Sequence, residues 1–167
     1  LNFDGTDDYV SVSDNSILDV TTAYTISAWI YQTNATANGY RIVDKETAGI
    51  GDGYSLDTLG DSGGRKLRLC GASCANANTS YSLNEWHHVL VSVSGTTATF
   101  YLDGKSDGSG SVGSTPTNAL TLLIGAPHVG CAGACGIVEY FAGRIDEVKI
   151  FNYPLTATQV KTLYNQA

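Results

Sequence analysis

The segment GRIDEVKIF (143–151) places two carboxylates, Asp146 and Glu147, inside a stretch whose alternating apolar residues indicate a strand. Carboxylates are rarely fully buried unless an ion pair or a metal satisfies them. Asp146 therefore has three interpretations: a catalytic acid, a metal ligand or a solvent-facing strand residue. Because adjacent strand residues point to opposite faces, Glu147 is not expected to act with Asp146 as a catalytic pair.

The four cysteines form two C-x3-C pairs, CGASC and CAGAC, in segments rich in small and polar residues. Four thiolates could bind zinc, but the two pairs are far apart in sequence and have no zinc-ribbon context. Local disulfides Cys70–Cys74 and Cys131–Cys135 are favoured, and pairing between the two segments is the alternative. Disulfides in a lysine-poor chain predict an oxidising, extracellular location.

Three histidines could act as bases or metal ligands. His87 and His88 follow Trp86 at the start of a predicted strand, where packing is the simpler interpretation. No Ser or Cys is expected beside them to complete a nucleophilic triad. His128 lies in the long insertion GAPHVGCAGACGIVEYF, a kind of loop that often carries recognition. Trp29 and Trp86 are interpreted as core aromatics.

The composition points to a β-rich chain that does not bind nucleic acid. The 167 residues include 19 Gly and 10 Tyr, and the formal net charge is −7. A nucleic-acid-binding protein needs a basic face to neutralise phosphates, which nine Lys and Arg do not provide. No apolar run is long enough to span a bilayer, and the chain has neither a signal peptide nor a Met. We therefore expect a processed piece of a longer protein, covalently linked to neighbouring domains.

The elements that must position these residues are mostly strands. About ten strand-like segments of four to nine residues are separated by Gly, Asn, Asp and Ser turns, as in the hairpin pattern VLVSVSGTTATFYLDGK. Helical spacing occurs only in 156–167, where Thr156 is a candidate N-cap. The pattern predicts an all-β fold: a two-sheet antiparallel β-sandwich, or jelly roll, with a short C-terminal helix. We expect residues 1–167 to form a single domain.

Five motifs in order connect this chain to a known family: LNFDGTDDYV, YTISAWI, EWHHVLVSVSGTTATFYLDGK, LLIGAP and FAGRIDEVKIFNYPLTATQV. Together they resemble the laminin-G-like branch of the concanavalin A-like lectin/glucanase superfamily. The resemblance implies a jelly roll that serves as a sugar-binding module of secreted enzymes or as an adhesion module. Enzymes of the superfamily carry a cluster such as E-x-D-x-x-E. None of the four glutamates has that spacing, so we expect no catalytic residues.

The resemblance also implies a structural calcium between the first and last strands. Its ligands would be Asp4 of the FDG motif and Asp146 of the IDE motif. Calcium prefers six to eight oxygen ligands, so backbone carbonyls would complete the shell, and the turn at 34–40 is one candidate donor. The alternative is that both are exposed strand carboxylates without a metal.

A glycan site needs an aromatic face and polar groups that grip hydroxyls or carboxylates. The polar face of the predicted hairpin YSLDTLGDSGGRKLRL, the neighbouring strand and the long insertion could supply these groups. Five of the nine Lys and Arg lie on these strands, which would suit an acidic glycan. The expected ligand-binding residues are Tyr40, Arg41, Lys45, Asp57, Lys66, Arg68, His128 and Tyr140.

The sequence thus predicts a non-catalytic carbohydrate-binding module with a structural calcium, which targets a secreted or surface protein to a polysaccharide. The alternative is an adhesion or spacer module without a sugar site. For the polar residues themselves, a solvated sheet face with cross-strand ion pairs is the simpler interpretation.

Overall fold

A computed structural model describes residues 1–34, 40–47, 51–61, 64–128 and 139–166. These ranges contain twelve strands, one turn of 3-10 helix at Ser16–Leu18 and one α-helix. The strands and the helix are β1 (Asn2–Asp4), β2 (Val10–Val12), β3 (Ala23–Gln32), β4 (Tyr40–Lys45), β5 (Tyr54–Asp61), β6 (Gly64–Cys70), β7 (Cys74–Asn76), β8 (Trp86–Ser94), β9 (Thr97–Leu102), β10 (Lys105–Ser111), β11 (Leu122–Ile124), β12 (Ala142–Phe151) and α1 (Ala157–Asn165).

The strands form two six-stranded antiparallel sheets that pack as a sandwich. The first sheet has the order β1-β12-β3-β8-β9-β10, and the second has the order β2-β11-β4-β5-β6-β7. The predicted β-sandwich with a short C-terminal helix is confirmed. No helix in the described ranges is long and apolar enough to cross a membrane.

The core lies between the sheets because alternate strand residues point inward. In the first sheet, Val91 of β8 pairs with Phe100 of β9, and both are fully buried. In the second sheet, Leu56 of β5 pairs with Leu69 of β6 and is equally buried. These side chains belong to one hydrophobic cluster that joins the inner faces of the two sheets.

The outer face of the first sheet is covered by α1. Val160 and Leu163 of the helix pack on Leu90 and Tyr101, which pair across β8 and β9. The ring of Tyr164 stacks on Trp29 at a centroid distance of 5.7 Å and an interplanar angle of 19°.

The two tryptophans do not lie in the central core, so that interpretation is wrong. Trp29 is on the outer face of the first sheet, where it pairs with His88 and contacts α1. Trp86 begins β8 and is 39% exposed. The apolar pattern indicated packing, but it did not show that a helix covers this outer face.

Candidate functional site

A bulge in β4 brings two charged residues to the outer face of the second sheet. The register between β4 and β5 shifts between Arg41 and Val43. As a result, Ile42 and Val43 both join the core, although they are adjacent in sequence. A bulge inserts one extra residue and changes the phase of the strand. Arg41 and Asp44, three residues apart, therefore contact each other, with Arg41 Nε 3.3 Å from Asp44 Oδ2.

Asp57 is the centre of a row of ion pairs across β4, β5 and β6. Its carboxylate is fully buried and pairs in register with Arg41 on one side and Arg68 on the other. Arg68 donates from Nε to Oδ1 and from Nη2 to Oδ2, both at 2.8 Å. Arg41 donates from Nη1 to Oδ2. One buried carboxylate thus fixes two guanidinium groups, and the bidentate contact sets the plane of Arg68.

Arg41 is surrounded by further carboxylates. Its Nε lies 3.1 Å from Glu139 Oε2, and its Nη2 lies 4.0 Å from Glu46 Oε1. Burial disfavours the charged guanidinium, but the carboxylates, Asp57 first, outweigh it and raise the pKa of Arg41. Arg41 is 5% exposed, so it holds the surrounding carboxylates in place and is not itself accessible to a ligand from solvent.

Two glutamates of this cluster have perturbed acidity. Burial raises the pKa of Glu46, although its Oε1 accepts a hydrogen bond of 2.8 Å from Ser55 Oγ. Burial also raises the pKa of Glu139, and Arg41 opposes the shift. The side chain of Glu139 is 17% exposed, so this carboxylate reaches the surface.

His128 is held at the edge of this face by Asp44. Its backbone N–H donates to Asp44 Oδ2 at 3.1 Å, and its Nδ1 lies 3.7 Å from Asp44 Oδ1. Its Nε2 is 3.2 Å from Thr121 Oγ1. His128 is thus connected through Asp44 to the same ion-pair network as Arg41.

We call this group the charged face: Arg41, Asp44, Glu46, Asp57, Arg68 and Glu139. It unites Arg41, Asp57, Arg68 and, through Asp44, His128 among the residues predicted to bind ligand. Lys66 lies two residues before Arg68 on β6, on the same face and opposite Leu59. Tyr140 is half-buried and follows Glu139 directly.

Tyr40 and Lys45 are not part of the charged face. Tyr40 is 5% exposed and packs edge-on against Phe141 at 6.2 Å in the core. Lys45 is 1% exposed and makes ion pairs with Asp14 at 2.9 Å and Asp19 at 3.0 Å. Both expectations are corrected for one reason. Neighbouring residues in a strand point to opposite faces, so Tyr40 and Lys45 point away from the outer face on which Arg41 and Asp44 lie.

Sequence reasoning missed three members of the charged face: Asp44, Glu46 and Glu139. Asp44 and Glu46 are two residues apart, which is the spacing of side chains on one strand face. That signal was present in YRIVDKE, but the bulge concealed which face it belonged to. Glu139 could not be found this way, because it comes from a loop rather than a strand.

The register of β1 and β12 separates Asp4 from Asp146. The two strands do pair as the resemblance implies, but Asp4 lies opposite Ala142, four residues before Asp146. Four strand residues span about 13 Å. Ligands of one calcium lie at most about 5 Å apart, since each oxygen is roughly 2.5 Å from the ion. At this register the two aspartates leave their strands far apart, and the expected two-strand clasp stays a prediction.

Asp4 instead lies in an acidic turn. Carboxylate oxygens of Asp4, Asp7 and Asp8 all lie within 4.8 Å of one another, and all three residues are exposed. Asp8 Oδ2 accepts from Asp4 N at 3.0 Å, and Asp4 Oδ1 accepts from Thr6 N at 2.7 Å. Asp146 Oδ1 accepts from Glu147 N at 2.9 Å, a local contact at the bulge where the register of β12 with β3 shifts.

The disulfide Cys70–Cys74 is present and joins β6 to β7. It excludes pairing of these two cysteines with the second C-x3-C pair. Cys131 and Cys135 lie outside the described residues, as does most of the turn at 34–40. The expectation for them stays a prediction.

His87 does have a serine beside it, contrary to expectation. Ser82 Oγ lies 3.3 Å from His87 Nε2, and His87 Nδ1 lies 2.9 Å from Asp103 Oδ2. Ser82 Oγ also contacts Glu85, so its proton has a second acceptor. Asp103 additionally accepts from His88 N at 2.9 Å. These contacts tie the start of β8 to the end of β9, which is a structural role.

The family comparison covers almost the whole chain. The model described as concanavalin A-like lectin/glucanases superfamily matches residues 4–161. Among curated proteins, no sequence matches the chain.

Solved structures share the fold at low sequence identity. Domain 4 of AbnA, an extracellular GH43 arabinanase from Geobacillus stearothermophilus in complex with arabinotriose, has a TM-score of 0.73 and 19% identity. The match covers 96% of this chain and 74% of that one. A heptameric SAP-like pentraxin from Limulus polyphemus has a TM-score of 0.72 and 17% identity, with coverage of 98% and 80%.

A third structure is a chain of botulinum neurotoxin type C, whose cell entry depends on two ganglioside molecules. Its TM-score is 0.64 and its identity 18%, with coverage of 95% of this chain and 39% of that one. At these identities the likeness establishes the fold alone.

Proposed function

The chain belongs to the concanavalin A-like lectin/glucanase superfamily, and from this premise we propose that it is a non-catalytic carbohydrate-binding module of a secreted or surface protein. The disulfide Cys70–Cys74 supports the extracellular location, because such bonds persist in oxidising compartments. Two of the three similar structures, the arabinanase domain and the neurotoxin, are associated with glycans.

The observation that carries the proposal is the fixed guanidinium of Arg68. Its side chain is 23% exposed, while its partner Asp57 is fully buried. Asp57 is the only described residue that accepts a hydrogen bond from Arg68, and it engages Nε and Nη2. A planar donor group held in one orientation at a surface loses little entropy when it binds hydroxyls. It is therefore suited to a polyhydroxylated ligand.

The remaining groups complete a polar site around Arg68. Glu139, whose side chain is 17% exposed, would contribute an acceptor, and Lys66 on β6 and His128 beside Asp44 would contribute donors. Tyr140 offers a half-buried ring, and sugar rings are commonly bound against aromatic side chains. Arg41 and Asp57 serve as support, because both are buried.

Binding of a panel of soluble polysaccharides tests this proposal. Arg68→Ala should weaken binding by at least tenfold, because the fixed donors are lost. The matched control is Arg144→Ala on the first sheet, where the guanidinium lies over the Tyr31 ring, and this variant should bind like the parent protein. Thermal unfolding of both variants verifies that they are folded. Absence of binding to every glycan would contradict the proposal and favour the adhesion or spacer interpretation.

A structural calcium stays part of the proposal, with changed ligands. The acidic turn of Asp4, Asp7 and Asp8 offers three carboxylates close enough to share one ion, in place of Asp4 with Asp146. Hard oxygen ligands of this kind suit calcium. The bound ion would neutralise the repulsion among these exposed carboxylates and stabilise the turn that follows β1.

Chelation tests the calcium proposal. Calcium added to dialysed protein should raise the Tm, and EDTA should reverse the rise, because only the folded turn assembles the ligands. The double variant Asp4→Asn/Asp7→Asn should lose this response, whereas Asp146→Asn should keep it. An identical Tm in calcium and in EDTA would remove calcium from the proposal.

A further inference from the structure

The cations of the charged face are already neutralised by its own carboxylates. Arg68 is held bidentately by Asp57 at 2.8 Å, and Arg41 is shared among Asp57, Asp44, Glu139 and Glu46. The face therefore contains two guanidinium groups and four carboxylates. Five basic residues in sequence suggested a positively charged site, but the fold surrounds the arginines with acids.

The acidic group closest to solvent at Arg68 is Glu139. Its carboxylate interacts electrostatically with both Arg41 and Arg68. An anionic ligand that binds Arg68 would therefore approach Glu139 as well as Asp57. Two carboxylates brought together without a free cation repel each other, and such juxtaposition of like charges opposes binding.

Lys66 does not relieve this repulsion at the same position. It is two residues from Arg68 on β6, so the two side chains leave the strand about 7 Å apart. A lysine ammonium is also a compact, strongly hydrated charge that does not replace a planar bidentate donor. In addition, the chain carries a net charge of −7, which repels polyanions before contact.

A neutral sugar meets no such conflict. Each sugar hydroxyl both donates and accepts hydrogen bonds. Neighbouring hydroxyls can donate to Glu139 while accepting from the Arg68 guanidinium, so both protein groups are satisfied at once. Burial raises the pKa of Glu139, and the neighbouring Asp57 and Asp44 contribute in the same direction, so a further anion is unfavourable beside it.

Building on the proposed function, we infer that the charged face selects neutral glycans over acidic ones and that Glu139 is the residue that excludes the acidic ones. The acidic preference suggested by the number of basic residues is replaced by its opposite. Arg68 donates hydrogen bonds to either kind of ligand, and Glu139 discriminates between neutral and acidic ligands.

The test compares acidic polysaccharides with their carboxyl-reduced counterparts, which differ only in charge. The parent protein should bind the reduced member of a recognised pair at least tenfold more tightly, at moderate salt. Glu139→Gln should raise affinity for the acidic member and reduce the difference to less than about threefold. Glu147→Gln, an exposed glutamate on the first sheet, is the matched control and should leave the difference unchanged.

The outcomes separate the two proposals. Equal or tighter binding of the acidic member by the parent protein would overturn the inference while leaving carbohydrate binding intact. An unchanged difference in Glu139→Gln would show that another group excludes the anion and would equally overturn it. Absence of binding to any member of any pair would overturn the proposed function, and the inference would fall with it.

Discussion

His88 is a buried histidine between the first sheet and α1. It is 1% exposed, its Nε2 lies 2.9 Å from Ser27 Oγ, and its ring packs against Trp29 and Tyr164. Burial lowers its pKa to about 4, with Asp103 opposing the shift and Lys149 adding to it. The neutral imidazole is therefore the form that this site accepts.

The lowered pKa of His88 makes the free energy of unfolding depend on pH. The unfolded histidine has a pKa of about 6.5, so the unfolded chain binds a proton first as the pH falls. The contribution of neutral His88 to the free energy of unfolding should be fully present above about pH 6.5 and should be lost progressively as the pH falls towards 4. The measurement is the Tm of the parent protein against His88→Gln across this range.

Carboxylates titrate in the same range, so the informative quantity is the difference between the two proteins. His88→Gln should lower the Tm at pH 7 but flatten its dependence between pH 6.5 and 4. Parallel pH profiles for the two proteins would contradict the assignment.

The C-terminal helix is the element whose start was clearest in sequence. Thr156 and Gln159 form a capping box, in which Thr156 Oγ1 accepts from Gln159 N at 3.4 Å and Gln159 Oε1 accepts from Thr156 N at 2.9 Å. These contacts satisfy N–H groups that have no partner within the helix. Thr156 was predicted as the N-cap, and this is confirmed.

Removing the N-cap side chain should destabilise the protein by weakening the start of α1. Thr156→Ala should lower the free energy of unfolding by about 1 kcal/mol, as is usual for loss of an N-cap side chain. Thr158→Ala, at an exposed position in the same turn, is the control and should change stability by less than about 0.5 kcal/mol. Urea denaturation of both variants measures the difference, and equal midpoints would contradict a role for the cap.

The strands differ in how well their sequences predicted them. The β8–β9 hairpin was predicted correctly from its apolar alternation and short turn, and its inward-facing Val91 and Phe100 belong to the core. In β4 the alternation fails at the bulge between Arg41 and Val43. A bulge is stabilised by the neighbouring strands, and the strand's own pattern does not reveal it. Lys45, which follows the bulge, was consequently assigned to the wrong face, whereas Tyr40 points inward as the direct neighbour of Arg41.

At the scale of the molecule, the sequence predicted which elements exist more reliably than which residues meet. The fold class and the pairing of β1 with β12 followed from strand patterns and from the family resemblance. The exact register of that pair did not, and it is the register that separates Asp4 from Asp146. Arg41, Asp57 and Arg68 were predicted together because they lie on consecutive strands, whereas Glu139 approaches from a loop.

The pairing of β1 with β12 also has a consequence for the order of events during synthesis. β1 is synthesised well before β12, which begins at Ala142 and is its only partner strand among the described residues. Until β12 emerges, Phe3 has no sheet to join, and β3 presents the edge that β12 will occupy. An unpaired edge in an incomplete sheet invites association with other chains. Completion of the first sheet must therefore await the synthesis of β12, and the nascent chain needs protection up to that point.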